Sequence, residues 1–456
     1  LSLALGIGGL VVLSSDFGIS SSVARFVAEH RDDHARVAAV MADGLRLKFI
    51  GSATVTALLC ALAGPIASGY GIPALIWPIR GIAIALFGLS MMQLGSVFAA
   101  QARVHLQLRT SLIESATETI ATVSLVLVGG GVTGAAFGRA IGYLVGGALT
   151  IFLLARLLGT EIVPRSFRPG GETRRIAAYA GNLVVIEGAY TAFSQLDLLV
   201  IGAYLSTNAV GIFGAPLRLI TFLAYPGAAV AAGVAPRLAR SSSKAPDVSP
   251  FLAALRVLLI VQAIATAFVL GWSPLLVKIL GGDYGESAAV LRGLAPFVFL
   301  SGFGPLVSLV ANYLGEARRR VPVAIVTVIV NLTLDLLLVP KIGVIGACVG
   351  TDVAYALYAP AHLFICQRAL QIDLRPAART FVRTTLAGTA ATGMLLLVGY
   401  SLANVWQIPL GAFAAVVAFA AVLWITGELT VSEARSALAS LPVARRLLGT
   451  ASTGSH

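Results

Sequence analysis

Long apolar stretches follow one another along most of the chain with only short polar connections between them, and this pattern restricts its fold more than any other feature. A membrane-spanning helix needs roughly 20 mostly apolar residues. Only 11% of the residues are charged, whereas soluble domains average about 25%. A disordered chain, a disulfide-rich secreted domain and most soluble enzymes are therefore excluded. Thirteen stretches have the required length, at about 1–30, 47–69, 74–100, 111–130, 132–157, 176–204, 207–237, 251–281, 286–315, 321–339, 342–368, 380–402 and 407–427.

Basic residues occupy every second connection between these stretches. They lie within 31–48, 103–109, 156–175, 237–244, 318–320, 368–383 and 435–446. Because positively charged loops resist translocation, we expect this side of the protein and the C-terminus to be cytoplasmic. The net charge of +12 then follows from the topology of a multi-pass protein of the inner (plasma) membrane, and it requires no nucleic-acid partner.

An internal repeat relates two parts of the chain at an offset of about 212 residues. This shift superimposes Arg25 on Arg237, Arg80 on Arg292, and a block of glycine, aromatic and arginine positions within 134–156 on 346–368. Each repeat holds six spans, an even number, so the two bundles share one orientation and are related by an axis along the membrane normal. The predicted fold class is an all-α polytopic membrane protein with two six-helix bundles as a parallel repeat plus two C-terminal helices.

These features divide the chain into five segments. They are an N-terminal bundle at 1–157, a cytoplasmic linker at 158–175, a C-terminal bundle at 176–370, two extra transmembrane helices at 380–427 and a cytoplasmic tail at 428–456. Under the repeat shift the span 176–204 matches positions before Leu1. We therefore expect one further helix ahead of the thirteen spans.

Charged side chains inside a span are candidates for function, since each costs on the order of 2.5–3.5 kcal/mol at the centre of a membrane helix. Arg218 lies too deep in the span 207–237 to reach the surface easily, so it either lines a cavity or forms an internal ion pair. Arg25 lies near the cytoplasmic end of its span, where its side chain can extend to the headgroups. Asp335 can pair with an arginine that the sequence does not identify. Around Arg139, a glycine at every fourth position indicates close helix packing.

The span 176–204 carries a polar stripe. Its members are Glu187, Tyr190, Ser194 and Asp197, with Asn182 and Gln195 nearby. The first four follow one another at i, i+3, i+7 and i+10, which keeps them within about 80° of one another around a helix. The stripe is either a hydrogen-bonded seam between helices or a hydrophilic lining with a carboxylate that can take up a proton.

The sequence contains no motif of an enzyme or a metal site. Cys60, Cys348 and Cys366 lie in apolar stretches without a CxxC or His/Cys spacing, as is typical of small buried side chains. The pair Asp32-Asp33 is similar to the paired acids of membrane glycosyltransferases, but those act on lipid-linked donors from the side opposite to this basic loop. We therefore expect no catalytic activity, no cofactor and no metal.

Three segments of the chain resemble a known family. They are DFGISSSVARFVAE at 16–29, QLDLLVIG at 195–202 followed by AVGIF at 209–213, and GVIGA at 343–347. They are similar to helix segments of the polysaccharide transporters, the O-antigen-type flippases of the multidrug/oligosaccharidyl-lipid/polysaccharide (MOP) superfamily. The resemblance implies a flippase that moves a polyprenyl-diphosphate-linked oligosaccharide from the cytoplasmic to the outer leaflet, in contact with the bilayer and with polymerase or assembly proteins as partners.

The resemblance also implies roles for the polar residues of the spans. Guanidinium groups offer paired hydrogen bonds to diphosphate oxygens, so Arg218 is the first candidate for the phosphate contact and Arg25 for a cation where substrate enters. The sugars are assigned to Tyr190, Gln195 and Asn182. An outer gate or release site is assigned to Arg80 and Arg292.

Two alternatives stay open at this point. A proton- or sodium-coupled multidrug exporter of the same superfamily would use Glu187 and Asp197 for ion coupling. Such exporters usually have twelve spans, whereas this pattern implies two extra at the C-terminus. A membrane glycosyltransferase or polymerase would need an acidic pair and large loops on the outer side, where the loops here are short and carry few charges.

Overall fold

The structure, a computed structural model, describes residues 16–69, 72–164, 166, 168–238, 247–278, 285–399 and 406–429, and all regular secondary structure within them is helical. The N-terminal half contains α1 (Ile19–Glu29), α2 (His34–Gly69), α3 (Ile76–Gln93), α4 (Ser96–Ala100), α5 (Val104–Leu125) and α6 (Gly131–Leu158). The C-terminal half contains α7 (Thr173–Tyr204), α8 (Thr207–Val234), α9 (Ser249–Lys278), α10 (Ser287–Gly293), α11 (Ala295–Ser301), α12 (Gly304–Tyr313), α13 (Ala317–Ile342) and α14 (Val344–Leu370). Two helices follow, α15 (Arg375–Val398) and α16 (Gln407–Ile425).

Eleven candidate spans in the described residues are long and apolar enough to cross a membrane. One of them, Val104–Leu158, contains both α5 and α6, which are joined by a tight turn at Gly129–Gly131. The all-α polytopic fold class is thereby confirmed. Of the first predicted span, residues 1–15 lie outside the described part of the chain, as does the tail from residue 430.

Helix α2 is longer than the span predicted at 47–69. It begins at His34, directly after Asp33, whose Oδ1 accepts a hydrogen bond from the backbone N–H of Arg36 at 3.0 Å and so caps the helix. The predicted basic loop 31–48 is therefore mostly helical. Lys48, placed in that loop by the sequence pattern, instead lies inside α2 and is 0% exposed.

Glycines bring α6 into backbone contact with α5, as their spacing around Arg139 predicts. A Cβ atom on Gly138 would overlap the backbone of Thr122, and one on Gly142 would lie 2.6 Å from the Cβ of Glu118. Because a larger residue would force the helices apart, these positions fix the distance between α5 and α6. Arg139 pairs across this contact with Glu118 at 3.7 Å.

Helix α15 packs on α9 and α16 packs on α15, and a buried carboxylate joins the ends of these helices. Glu428, just after α16, accepts hydrogen bonds from Arg256 Nε at 2.8 Å, Arg383 Nη1 at 3.0 Å and Thr380 Oγ1 at 2.8 Å. Burial acts to raise the pKa of Glu428, but these hydrogen bonds and the charge of Arg256 outweigh it and lower the pKa. The carboxylate therefore stays ionised and connects α9, α15 and α16.

The two halves touch at the helix ends that carry the basic loops. Glu29, at the end of α1, accepts a hydrogen bond from Arg175 Nη2 at the start of α7 at 2.9 Å. Arg31 donates to the carbonyl oxygen of Pro236, just after α8, at 3.3 Å. The linker is also attached here, because the backbone N–H of Glu172 donates to Asp43 of α2 at 2.9 Å.

Candidate functional site

A cavity of about 580 Å³ lies among helices of the C-terminal half. Helices α7, α8, α11, α12 and α14 line it, and we call it the C-half cavity. Its lining includes Tyr190, Ser194, Gln195, Asp197, Arg218 and Thr351. Five residues that the sequence singles out, Arg218, Tyr190, Ser194, Gln195 and Asp197, are thus brought together. A volume in this range suits a small-molecule or headgroup-sized ligand.

Arg218 supplies the positive charge of the C-half cavity. Its side chain is exposed there, and no carboxylate of the described residues lies within the 4.0 Å of an ion pair. Of the two arrangements that the sequence leaves open, the structure therefore shows the cavity-lining one. A guanidinium without a counter-charge is available to an anionic ligand.

Aromatic rings form one wall of the C-half cavity. Phe297 and Tyr355 pack edge to face with their centroids 4.9 Å apart, and Phe193 lies 6.0 Å from Tyr355. Tyr190, 50% exposed, continues this wall, and Gln195 is exposed beside it. The cavity thus combines a cation with aromatic faces, a hydroxyl and an amide.

Two buried carboxyl groups lie next to the C-half cavity. Thr351 Oγ1 donates to Asp197 Oδ2 at 2.6 Å, and Asn331 Nδ2 donates to Asp197 Oδ1 at 2.9 Å. Asn331 Nδ2 also reaches Asp335 Oδ2 at 3.4 Å. We call these four residues the acidic cluster.

The acidic cluster contains no positive charge. Asp335 is 0% exposed, and its Oδ1 has no hydrogen-bond partner in the described part of the protein. The arginine expected as its partner is not within ion-pair distance there; Asp335 lies beside Asp197 and Asn331 instead. Two neighbouring carboxyl groups cannot both stay ionised at low cost in such a place, so the cluster requires a proton or a bound cation.

Sequence reasoning missed Asn331 and Thr351 in the acidic cluster. Asn331 and Asp335 are four residues apart on α13, a spacing that puts them on one face and could have been noticed. Thr351 gives no such signal, because it comes close to Asp197 only through the packing of α14 and α7 on α13.

A second cavity, of about 240 Å³, lies between the two halves, and we call it the inter-half cavity. Ser21 of α1 lines it from the N-terminal half, and Glu187, Ser308, Asn312 and Arg320 line it from the C-terminal half. Glu187 is exposed to this cavity and not to the C-half cavity. The polar stripe of α7 therefore faces two separate spaces.

A close helix crossing separates these two cavities. A Cβ atom on Gly227 of α8 would overlap the carbonyl oxygen of Gly302, which joins α11 to α12. On α8, residues up to Ala224 line the C-half cavity, and Ala228 and Ala231 line the inter-half cavity. The two backbones thus meet at the boundary between the cavities.

Four further candidates lie elsewhere. Arg25 lies over the rings of Tyr179 and Phe26, at 4.4 and 4.6 Å, and pairs with Glu29 at 3.3 Å. Asn182 donates a hydrogen bond to the carbonyl oxygen of Ala178 in its own helix at 3.3 Å. Arg80 donates to the carbonyl oxygen of Cys60 at 3.4 Å. Arg292 lines an apolar cavity between α9, α11 and α15. The structure does not bring them to the C-half cavity, and their roles stay predictions.

A buried ion pair in the N-terminal half was not predicted. Lys48 Nζ contacts Asp16 Oδ1 and Ser20 Oγ, and it donates to Gln93 Oε1 at 3.2 Å. The three acceptors use all three ammonium protons. No group of three or more His, Cys, Asp or Glu residues suited to a metal ion occurs in the described ranges.

Comparison with solved structures defines the class of fold. The chain is similar to the outward-facing conformation of a multidrug resistance MATE family transporter of the MOP superfamily (16% identity, TM-score 0.66, 82% of this chain and 88% of that chain). It is also similar to the eukaryotic MATE transporter AtDTX14 (16%, 0.67, 84% and 90%) and to a MOP superfamily transporter from Pyrococcus furiosus (17%, 0.64, 81% and 88%). The fold is that of the MATE transporters.

The family follows from the sequence. The model of the polysaccharide biosynthesis protein family matches residues 1–242, and the chain belongs to that family. Comparison with curated proteins gives no match. The membership in the MOP superfamily that the sequence predicts is confirmed, and family and fold together support a multi-pass membrane transporter of that superfamily.

Proposed function

We propose that the protein is a flippase that moves a polyprenyl-diphosphate-linked oligosaccharide from the cytoplasmic to the outer leaflet for cell-surface polysaccharide synthesis. The observation that carries the proposal is the C-half cavity, where Arg218 has no acid partner among the described residues and lies among Tyr190, Ser194 and Gln195. A diphosphate with sugars cannot cross hydrocarbon alone, and this lining supplies what each part needs. The family points to the same pathway.

The two parts of the headgroup would use different side chains. Arg218 would hold diphosphate oxygens through paired N–H groups, whose geometry matches an oxyanion. The sugars would stack on the wall formed by Tyr190 and Tyr355 and bond to Gln195. The polyprenyl chain would stay in the bilayer, as a lateral exit from the cleft would permit.

Transport would proceed by alternating access. The contacts between the halves lie at the ends that carry the basic loops, which the charge pattern assigns to the cytoplasm. This conformation would therefore be closed on the cytoplasmic side. Rocking of one half against the other would break these contacts and open that side to substrate. Arg25 lies in this contact region, consistent with a role where substrate enters.

The acidic cluster would couple transport to an ion. Asp197 and Asp335 share a buried space to which the described part of the chain brings no positive charge, so a proton or a sodium ion would complete it. Because Asp197 also lines the C-half cavity, occupation of the cluster would alter the field at Arg218. Glu187 would act separately, in the inter-half cavity.

Replacing Arg218 tests the proposal. Arg218→Ala should abolish translocation of the lipid-linked glycan in proteoliposomes, whereas Arg218→Lys should retain part of it because the charge remains. Phe222→Ala is the matched control, since Phe222 lies one turn further along α8, is 71% exposed and does not line the cavity. Normal glycan translocation by a folded Arg218→Ala protein would refute the assignment.

An ion-coupled multidrug exporter is the second candidate. The aromatic wall of Phe193, Phe297 and Tyr355 favours it, since flat apolar rings also bind aromatic drugs. A deletion strain distinguishes the two functions: loss of surface glycan with normal drug resistance supports the flippase, and drug sensitivity with normal glycan supports the exporter.

A further inference from the structure

Arg320, which the sequence pattern places in a basic loop, has its side chain inside the protein. It lies in the first turn of α13, is 3% exposed and lines the inter-half cavity. Among the residues that the structure describes, no carboxylate oxygen lies within 4.0 Å of the Arg320 guanidinium, the limit for an ion pair. A buried guanidinium without a counter-ion is costly, so its position needs an explanation.

The partners of Arg320 hold its guanidinium without cancelling its charge. Nη2 donates to Ser308 Oγ, and Nε donates to His362 Nε2 at 3.3 Å. His362 Nδ1 lies 2.9 Å from the carbonyl oxygen of Tyr358, which can only accept, so Nδ1 carries the ring hydrogen. Nε2 is then an acceptor and the imidazole is neutral. Nη1 has no hydrogen-bond partner among the described residues.

We propose that Arg320 is an oxyanion subsite between the two halves, where it binds the diphosphate of the lipid-linked substrate. This inference rests on the proposed function and adds a second phosphate contact to that of Arg218. Ser21 and Asn312 line the same cavity and can donate to the remaining oxygens. The cavity, at about 240 Å³, is the smaller of the two and suits the diphosphate rather than the glycan.

The location gives this subsite a place in the transport cycle. Ser21 belongs to α1 and the other lining residues to the C-terminal half, so the N-terminal half completes this cavity only while the halves are close. A diphosphate bound there contacts both halves at once. It would therefore reach Arg320 when the cytoplasmic side closes and pass to Arg218 in the C-half cavity afterwards.

The charge of Glu187 should weaken the binding of a diphosphate at Arg320. It lines the same cavity from α7, more than 4.0 Å from the guanidinium. An ionised carboxylate there repels an incoming diphosphate through the low-dielectric interior. Removing that charge should strengthen diphosphate binding, an effect that a purely structural role of Arg320 would not produce.

Binding to the full-length chain in phosphatidylcholine nanodiscs tests the subsite, with farnesyl diphosphate as the probe and farnesol as the probe without phosphate. Arg320→Gln should weaken farnesyl diphosphate binding at least tenfold and leave farnesol binding unchanged. Arg319→Gln is the matched control, because it removes the same charge from the neighbouring position, where Arg319 is 62% exposed and pairs with Glu316 at 3.1 Å. Glu187→Gln should strengthen the binding several-fold.

Ser308→Ala covers the case in which Arg320→Gln does not fold. It keeps the guanidinium and removes one hydroxyl that orients it, and it should weaken farnesyl diphosphate binding about threefold. Unchanged affinity in folded Arg320→Gln, or in both Ser308→Ala and Glu187→Gln, would overturn the subsite. The proposed function fails separately, if the wild-type protein binds farnesyl diphosphate but does not translocate the lipid-linked glycan.

Discussion

In the N-terminal half, the ammonium group of Lys48 is enclosed by one carboxylate, one hydroxyl and one amide oxygen. In the C-terminal half, Asp197 and Asp335 share the amide of Asn331, Asp197 also accepts from a hydroxyl, and no cation of the described residues pairs with either. Lys48, Asp197 and Asp335 are buried, and Asp16, just before α1, is partly exposed. In the first group, the charge of Lys48 is balanced by that of Asp16. The second needs a partner that the described protein does not supply.

This difference separates structural charges from functional ones. A buried ion pair with all its donors used mainly fixes the helices that contribute to it, here α1, α2 and α3. A buried group of like charges is unfavourable unless a proton or cation is bound, so its retention points to ligand exchange. The C-terminal half, where Arg218 also has no counter-charge among the residues that the structure describes, is accordingly where we expect ion and substrate to bind.

Replacing Lys48 should produce the largest effect on stability. Lys48→Met leaves the carboxylate of Asp16 without its partner, and breaking a buried pair in this way costs about 3–5 kcal/mol. The free energy of unfolding in detergent would measure the loss. The double variant Asp16→Asn/Lys48→Met should recover most of it. If the double variant is as unstable as the single one, the ion pair does not explain the stability of this half.

Replacing Asp335 should have the opposite signature. Asp335→Asn removes one of two neighbouring like charges, so the free energy of unfolding should stay the same or rise while transport falls at least tenfold. Transport should also lose its dependence on the proton or sodium gradient. The free energy of unfolding and the transport rate with and without the ion gradient can be measured on one liposome preparation. A loss of stability as large as that of Lys48→Met would contradict the contrast between the halves.

The contact between the halves should give the smallest effect. Glu29 and Arg175 are partly exposed, and such pairs contribute about 0.2–1 kcal/mol. Glu29→Gln should therefore shift the balance between the closed and open cytoplasmic side by no more than about fivefold. Labelling of a cysteine introduced at Ser21 would report the opening. Glu316→Gln, which breaks a pair within the C-terminal half, should leave the labelling unchanged.

Hydropathy predicted the helical class, and helical periodicity predicted that polar residues of α7 share one face. The thickness of the bilayer fixes the length of an apolar stretch, and the pitch of a helix places Tyr190, Ser194 and Asp197 on one face. Hydropathy does not locate helix ends, however, since these carry charges. Lys48 and Arg320 were for that reason assigned to loops, although the structure buries both.

Contacts between distant helices could not be predicted from one sequence. The interaction of Asp197 with Asn331 joins residues 134 positions apart and exists only because α7 packs against α13. Neither hydropathy nor residue spacing contains that information. The arginine expected beside Asp335 reflects the same limit, because the rule that a buried charge needs a partner does not say that the partner belongs to the protein.

The crossing of Gly227 and Gly302 has a mechanical consequence. With no side chain between the two backbones, α8 contacts the junction of α11 and α12 at this one point, about which it can pivot. A tilt of α8 about this point moves the two ends of the helix in opposite directions. The C-half cavity beside Arg218 would then widen as the inter-half cavity beside Ala231 narrows. A small rotation of α8 at Gly227 would then open the two cavities alternately.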